Sequence, residues 1–187
     1  SGADQLGQRV AFALSQIFVV SMIDGGVGHA PRGAANYLDT LRRNAFGNFR
    51  TLLEDVALNP MMGLYLSFLG NQGQAGRYPD ENFAREVMQL FTIGLYELNP
   101  DGTVKRDAAG DPIETYTNAD VTGLAKVFTG WSWNAPATSE DYFLGNSIAP
   151  DREISPMQAY EAYHSQGAKT FLNTTCPGGT PAAQSLK

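Results

Sequence analysis

The chain has 187 residues, 43% of them hydrophobic, and a formal charge of −6. That length suits one ordinary domain with a core to bury, and no apolar run of about 18 residues is present to span a bilayer as a helix. Residues 1–58 carry five acids and five bases and residues 59–187 fourteen acids and eight bases. The acidic excess therefore lies in the later part, and no basic stripe follows a phosphate backbone, which excludes a nucleic-acid partner.

Residues 3–23 place Leu6, Val10, Ala13, Leu14, Ile17 and Phe18 at helical spacing, and Asp24-Gly25-Gly26 ends the run. Residues 33–46 read as a second, more polar helix. Asn48 caps a third over 49–58, and Pro60 begins a fourth over 61–69 that is apolar almost all round, which predicts a central position.

Residues 77–94, RYPDENFAREVMQLFTIG, carry the densest signal. Asp80 can accept a bond from an orphan backbone N–H, and Glu81 adds negative charge where the helix dipole is positive. At 100° per residue, Phe83, Val87, Leu90, Phe91 and Leu95 gather on one side and Glu81, Asn82, Arg85, Glu86 and Gln89 on the other. One helix thus has an apolar face and a carboxylate–guanidinium–amide face, with Arg85 expected to be packed between Glu81 or Glu86 and a neighbouring helix.

After Gly94 the pattern changes to short strands joined by the turns Asn99-Pro100-Asp101-Gly102 and Ala109-Gly110-Asp111-Pro112, which predicts a β-hairpin insertion at about 95–116. Thr117-Asn118-Ala119-Asp120 has the form of a capping box, with Val121, Leu124, Ala125, Phe128 and Trp131 on one face of the following helix. Residues 134–187 form a loop-rich C-terminal part, with a short helix expected at 156–163 and a short strand at 169–172. The expected fold is all-α: a multi-helix globular domain with the hairpin inserted. Residues 1–187 form a single helical domain or a fragment of a larger one, because the chain starts Ser1-Gly2 and stops within a helix opening at Thr180-Pro181.

The chemistry available is narrow. Cys176 has no second cysteine to pair with and no metal-ligand spacing around it, and His29 and His164 do not form a zinc signature. The turns at Asp101 and Asp107 lack the spacing of a calcium loop. Neither a metal nor a cofactor is expected. Glu81 and Glu86 point about 140° apart on one helix, so a paired-acid mechanism of the glycosidase kind needs a carboxylate from elsewhere. Trp131 continues an apolar stripe, whereas Trp133 is the freer of the two to serve as an aromatic platform.

The segments DQLGQRVAFALSQIFVVS, NFRTLLEDVALNPMMGLYLSFLGN, PDENFAREVMQLFTIGLYELNPDGT, YTNADVTGLAKVFTGW and HSQGAKTFLN, in that order, resemble the bacterial domain-of-unknown-function 1800 family. The family's E-N-x-x-R-E signature falls on Glu81, Asn82, Arg85 and Glu86, its Y-T-x-x-D and T-G-W elements on Tyr116, Thr117, Asp120, Thr129, Gly130 and Trp131, and its H-x-x-G-x-K element on His164, Gly167 and Lys169. Many members have a histidine where this chain has Phe91, which can neither ligate a metal nor transfer a proton. The resemblance implies a protein several hundred residues long, in which the rest of its own chain is a partner. It also implies a periplasmic, cell-envelope or extracellular location, since many members neighbour genes for another uncharacterised family with twin-arginine signals.

Two functions follow as expectations. One is a structural or binding module of the envelope, with a polysaccharide or another envelope component as partner and Asn82, Trp131, Trp133 and Lys169 as binding residues. The other is a hydrolase acting on a polysaccharide or similar substrate, with Glu81, Arg85, Glu86, Asp120 and His164 around a cleft.

Overall fold

The computed structural model describes residues 4–187, so the start expected at Ala3 lies outside them. Helix α1 (Gln5–Ser15) stops well short of Ile23. The Ser15 hydroxyl donates to the Phe12 carbonyl at 2.7 Å, and the chain then bends so that Phe18 enters the core, where its carbonyl accepts from the Tyr37 hydroxyl at 2.7 Å. Asp24 caps a single turn, α2 (Gly25–Gly28), by accepting from the Gly26 and Val27 amides. Helix α3 (Pro31–Arg43) follows, with proline in its first turn. Next come α4 (Phe49–Ala57), capped by Asn48 as expected, and α5 (Pro60–Tyr65), which starts at Pro60 and is capped by Asn59. Helix α5 is central, with Met61 and Met62 fully buried.

Helix α6 (Asn82–Glu86) is short and runs directly into a π-helical turn, Val87–Phe91. The wider turn, with i→i+5 bonding, shifts the apolar stripe to Phe83, Ala84, Met88 and Phe91, whereas Leu90 and Leu95 are exposed. Gly94, at φ +77, closes the turn by donating its N–H to the Met88 carbonyl at 2.9 Å. The predicted insertion is present as an arm over residues 95–116. It is joined by the isolated pairings Tyr96↔Glu114, Leu98↔Val104 and Arg106↔Pro112. Asp101 and Asp107 fasten its two turns by accepting from the Thr103 amide and from the Ala109 and Asp111 amides.

Helix α7 (Asn118–Ala125) begins at the capping box of Thr117 and Asp120. Beyond it the elements are small: β1 (Trp131–Ser132), α8 (Glu140–Phe143), β2 (Gln158–Ala159), β3 (Lys169–Phe171), β4 (Thr174–Cys176) and α9 (Ala182–Ser185). Strand β1 pairs antiparallel with β2, and β3 with β4. The helix expected at 156–163 is instead β2 followed by a 3-10 turn, Glu161–Tyr163, because the Gly130 carbonyl and the β1 edge take up this backbone.

These elements correct the all-α expectation. Helix, with the π and 3-10 turns included, covers 39% of the chain and strand 9%, and among the described residues these form nine α-helices and two small antiparallel strand pairs, most of the rest being loop. The periodicity that suggests long helices persists past their ends, since Phe18 and Phe68 bury themselves from non-helical backbone.

The core is an aromatic cluster. Phe83 stacks on Phe68 at 4.1 Å between centroids and meets Phe128 edge-on at 4.6 Å, while Phe91 contacts Phe83 at 6.3 Å and Phe18 at 5.0 Å. Two glycines admit close backbone contacts around it. A Cβ on Gly123 would stand 1.8 Å from the Thr170 carbonyl oxygen, and one on Gly130, at φ +75, would stand 2.7 Å from the His164 nitrogen. Gly123→Ala forces α7 and β3 apart, an overpacking cost of about 1–3 kcal/mol that the better helix propensity of alanine offsets only in part. The expected outcome is a lower urea unfolding midpoint. A midpoint at or above that of the parent chain would show that the α7–β3 contact is looser than described.

Candidate functional site

The signature helix is anchored before it begins. The Asn71 side chain brackets the Asp80 backbone, accepting its N–H at 3.0 Å and donating to its carbonyl at 3.2 Å. Asp80 in turn accepts from the Asn82 amide at 2.8 Å and from the Ser67 hydroxyl at 3.0 Å. The N-cap position is Glu81, whose side chain makes no cap bond; the Asp80 carboxylate, one residue before it, satisfies the first helical N–H and ties the helix start to the turn after α5. Asn82 is exposed, with its amide directed back to the Ser67 hydroxyl at 3.5 Å.

From this start, Glu81 and Arg85 face α7. The Arg85 guanidinium donates to Glu81 Oε2 at 3.3 Å and to Asn118 Oδ1 at 3.4 Å, and the Thr122 hydroxyl donates to Glu81 Oε1 at 2.7 Å. The expected burial of Arg85 is not observed: its side chain is 39% exposed and that of Glu81 37%. Such a pair contributes only about 0.2–1 kcal/mol. Its two bonds are long for a guanidinium, so several N–H groups remain free for a ligand.

Arg85 and Gln89 form one wall of a cavity of about 190 Å³. Leu95, Tyr96, Glu114 and Tyr116 of the arm form the second, and Thr117 and Asn118 at the start of α7 close it. Gln89 and Arg85, four residues apart, stack on one face of the helix, and the arm leaves from the end of the π turn that follows. Sequence reasoning placed Arg85 and Gln89 on one polar face and Tyr116 in a motif, but it missed Tyr96, Glu114 and Asn118 as cavity residues. The alternation of the arm strands carried that signal, since Tyr96 and Glu114 are direct cross-strand partners.

The remaining candidates lie elsewhere. Glu86 does not take part in the pair with Arg85. Among the described residues, its Oε2 and the Tyr116 hydroxyl are buried without a hydrogen-bond partner. Asp120 accepts from the hydroxyl and amide of Thr117 at 2.7 and 2.8 Å and from the Leu172 amide at 2.7 Å. The Thr117 hydroxyl first, then the Thr117 and Leu172 amides, hold this carboxyl below its usual range. Its lone pairs bind the α7 start to the tip of the β3–β4 hairpin.

His164 is buried beneath the Thr129-Gly130-Trp131 segment. Its Nδ1 lies 2.7 Å from the Thr129 carbonyl, which makes Nδ1–H the donor, and its Nε2 lies 3.3 Å from the Ser185 hydroxyl. Burial holds its pKa below the ordinary value, with Lys169 adding repulsion, against the Thr129 bond and Glu161. Lys169 is fully buried, its ammonium 3.5 Å from the Thr180 carbonyl, and burial pushes its pKa down. The Glu161 carboxylate accepts from the Ala182 amide at 3.1 Å, so this polar knot secures α9. Trp131 is buried, with its indole N–H on the Val127 carbonyl at 3.2 Å. Trp133 is buried as well, its ring covered by the Arg152 guanidinium at 4.5 Å. Among the described residues no three His, Cys, Asp or Glu side chains converge to hold a metal, and no helix is long and apolar enough to cross a membrane.

Short helices, two small antiparallel strand pairs and long loops surround a small polar cavity beside the signature helix. The chain belongs to the family described as "Protein of unknown function (DUF1800)", which it matches over residues 1–187. No curated protein and no solved structure is matched by the chain.

Two measurements follow from these buried groups. A histidine kept neutral in the folded state contributes stability that is fully present above its ordinary value of 6.5 and is lost as pH falls through that value towards the lower folded one. Unfolding midpoints taken between about pH 7.5 and 5.5 are expected to drop, and to drop less in His164→Asn, whose amide can still donate to Thr129. Equal slopes in the two chains would place the titration elsewhere. Tyr116→Phe removes an unpartnered buried hydroxyl and is expected to be neutral or stabilising, by up to about 1–3 kcal/mol in urea unfolding. A loss of stability would show that the hydroxyl has a partner.

Proposed function

We propose that this domain is a binding module and that the cavity beside Arg85 is its ligand seat. One observation carries the reading: a half-exposed guanidinium, held from behind by only two long bonds, faces a cavity whose other walls supply amides, a carboxylate and tyrosine rings. At about 190 Å³, the cavity is smaller than the roughly 300–1,000 Å³ that engulfs a drug-sized ligand. It suits one unit of a larger polar chain, such as an envelope polysaccharide or peptide. The family resemblance supports a site of action in the periplasm, the envelope or the extracellular space.

The hydrolase reading has less support. Glu81 is committed to Arg85 and Thr122, Asp120 to Thr117 and Leu172, and His164 to Thr129 and Ser185. These groups occupy three separate places, so an acid and a base do not face one shared space.

Arg85→Met provides the test. Removal of an exposed ion pair is expected to change stability by less than about 1 kcal/mol, while loss of a charge-assisted contact weakens binding by about tenfold or more. Thermal unfolding and titration calorimetry against a panel of polysaccharide fragments and peptides measure both. Gross unfolding of the variant, or parent-level affinity, would overturn the proposal.

A further inference from the structure

We infer that the unit seated in this cavity is an uncharged sugar ring of a glycan chain, an inference that rests on the binding-module reading. The first argument is charge. Arg85 and Glu114 face the same small space, so an anionic ligand meets the Glu114 carboxylate and a cationic one meets the guanidinium. A neutral ligand with many hydroxyls meets neither penalty. The second argument is shape. Arg85, Gln89, Glu114 and Asn118 all end in planar groups that present paired polar atoms. Adjacent hydroxyls on a sugar ring, each both donor and acceptor, match such pairs, and they can satisfy guanidinium and carboxylate at once. The third is the apolar wall. Leu95 and Tyr96, both about half exposed on the arm, offer a flat surface to the C–H face of a ring, the role for which tyrosine, with its apolar body and polar tip, is suited.

Size agrees with this assignment. A cavity of about 190 Å³ accommodates a single ring, and the remainder of the glycan extends along the exposed arm. The arm then acts as the element that selects the ligand, because Tyr96 and Glu114 are cross-strand neighbours at its base.

Titration calorimetry on the chain decides the matter with neutral pentasaccharides (α- and β-linked glucans, a mannan and a galactan), pentagalacturonate and pentaglycine as probes. At least one neutral probe is expected to bind, with an affinity that changes by no more than about twofold between 50 and 500 mM salt, since no net charge is neutralised. Arg85→Met and Glu114→Ala are each expected to weaken it by about five- to tenfold, with unfolding midpoints showing that both variants are folded. Binding of pentagalacturonate or pentaglycine alone, or a salt-induced loss above about tenfold, overturns the neutral-sugar assignment while leaving the binding module in place. Binding of none of the probes overturns both.

Discussion

Phe83 is the residue on which the site depends. It is fully buried, stacked on Phe68 and set edge-on against Phe128, so it locks a helix of only five residues between the turn after α5 and the end of α7. Isolated helices of that length do not persist in water; packing of one face holds this one. Because Phe83 fixes the rotation of α6 about its axis, Glu81 and Arg85 are turned towards α7 and the arm. The polar face therefore inherits its orientation from an apolar contact, and the ion pair, half in solvent, contributes little to holding it.

Local signals in the sequence proved legible. Asn48 and the Thr117/Asp120 box act as caps where their side chains suggest, because a cap is decided within three or four residues. The arm was legible for the same reason, through its Asp and Gly turns. The helix lengths were not. Apolar spacing continues past Ser15 and Tyr65 because Phe18 and Phe68 are needed in the core, not because the backbone there is helical. The π turn was also hidden: single residues such as Leu90 fit a 3.6-residue stripe equally well, and only tertiary packing showed that Met88 takes the buried place. Trp133 looked free because Arg152, which covers it, lies in a distant loop.

The site was half legible. The residues of the family motifs do cluster, but in two different ways. Arg85, Tyr116 and Thr117 border a cavity, with Glu81 paired to Arg85 behind it, whereas Thr129, Gly130, His164 and Lys169 meet in a buried knot that holds the C-terminal elements. A lone sequence cannot separate these outcomes, since both need polar residues at fixed spacing. Burial separates them: the cavity group is part-exposed, and the knot is closed, with its hydrogen bonds made to the Thr129 and Thr180 carbonyls and the Ser185 hydroxyl. Asp120 is neither: part-exposed, it accepts from Thr117 and from the Leu172 amide and so joins the α7 start to the hairpin of β3 and β4.

The π turn has one more consequence. A turn that takes one residue more than an α-helix is the footprint of a single inserted residue within otherwise helical chain. The direction in which the arm departs, and with it the distance between Tyr96 and Arg85, thus depends on the number of residues in this turn as well as on the packing of Phe83. Relatives that differ by one residue between Glu86 and Gly94 can keep every cavity side chain and still have a differently shaped mouth. The length of this short stretch therefore bears on the shape of the cavity as directly as the residues that line it.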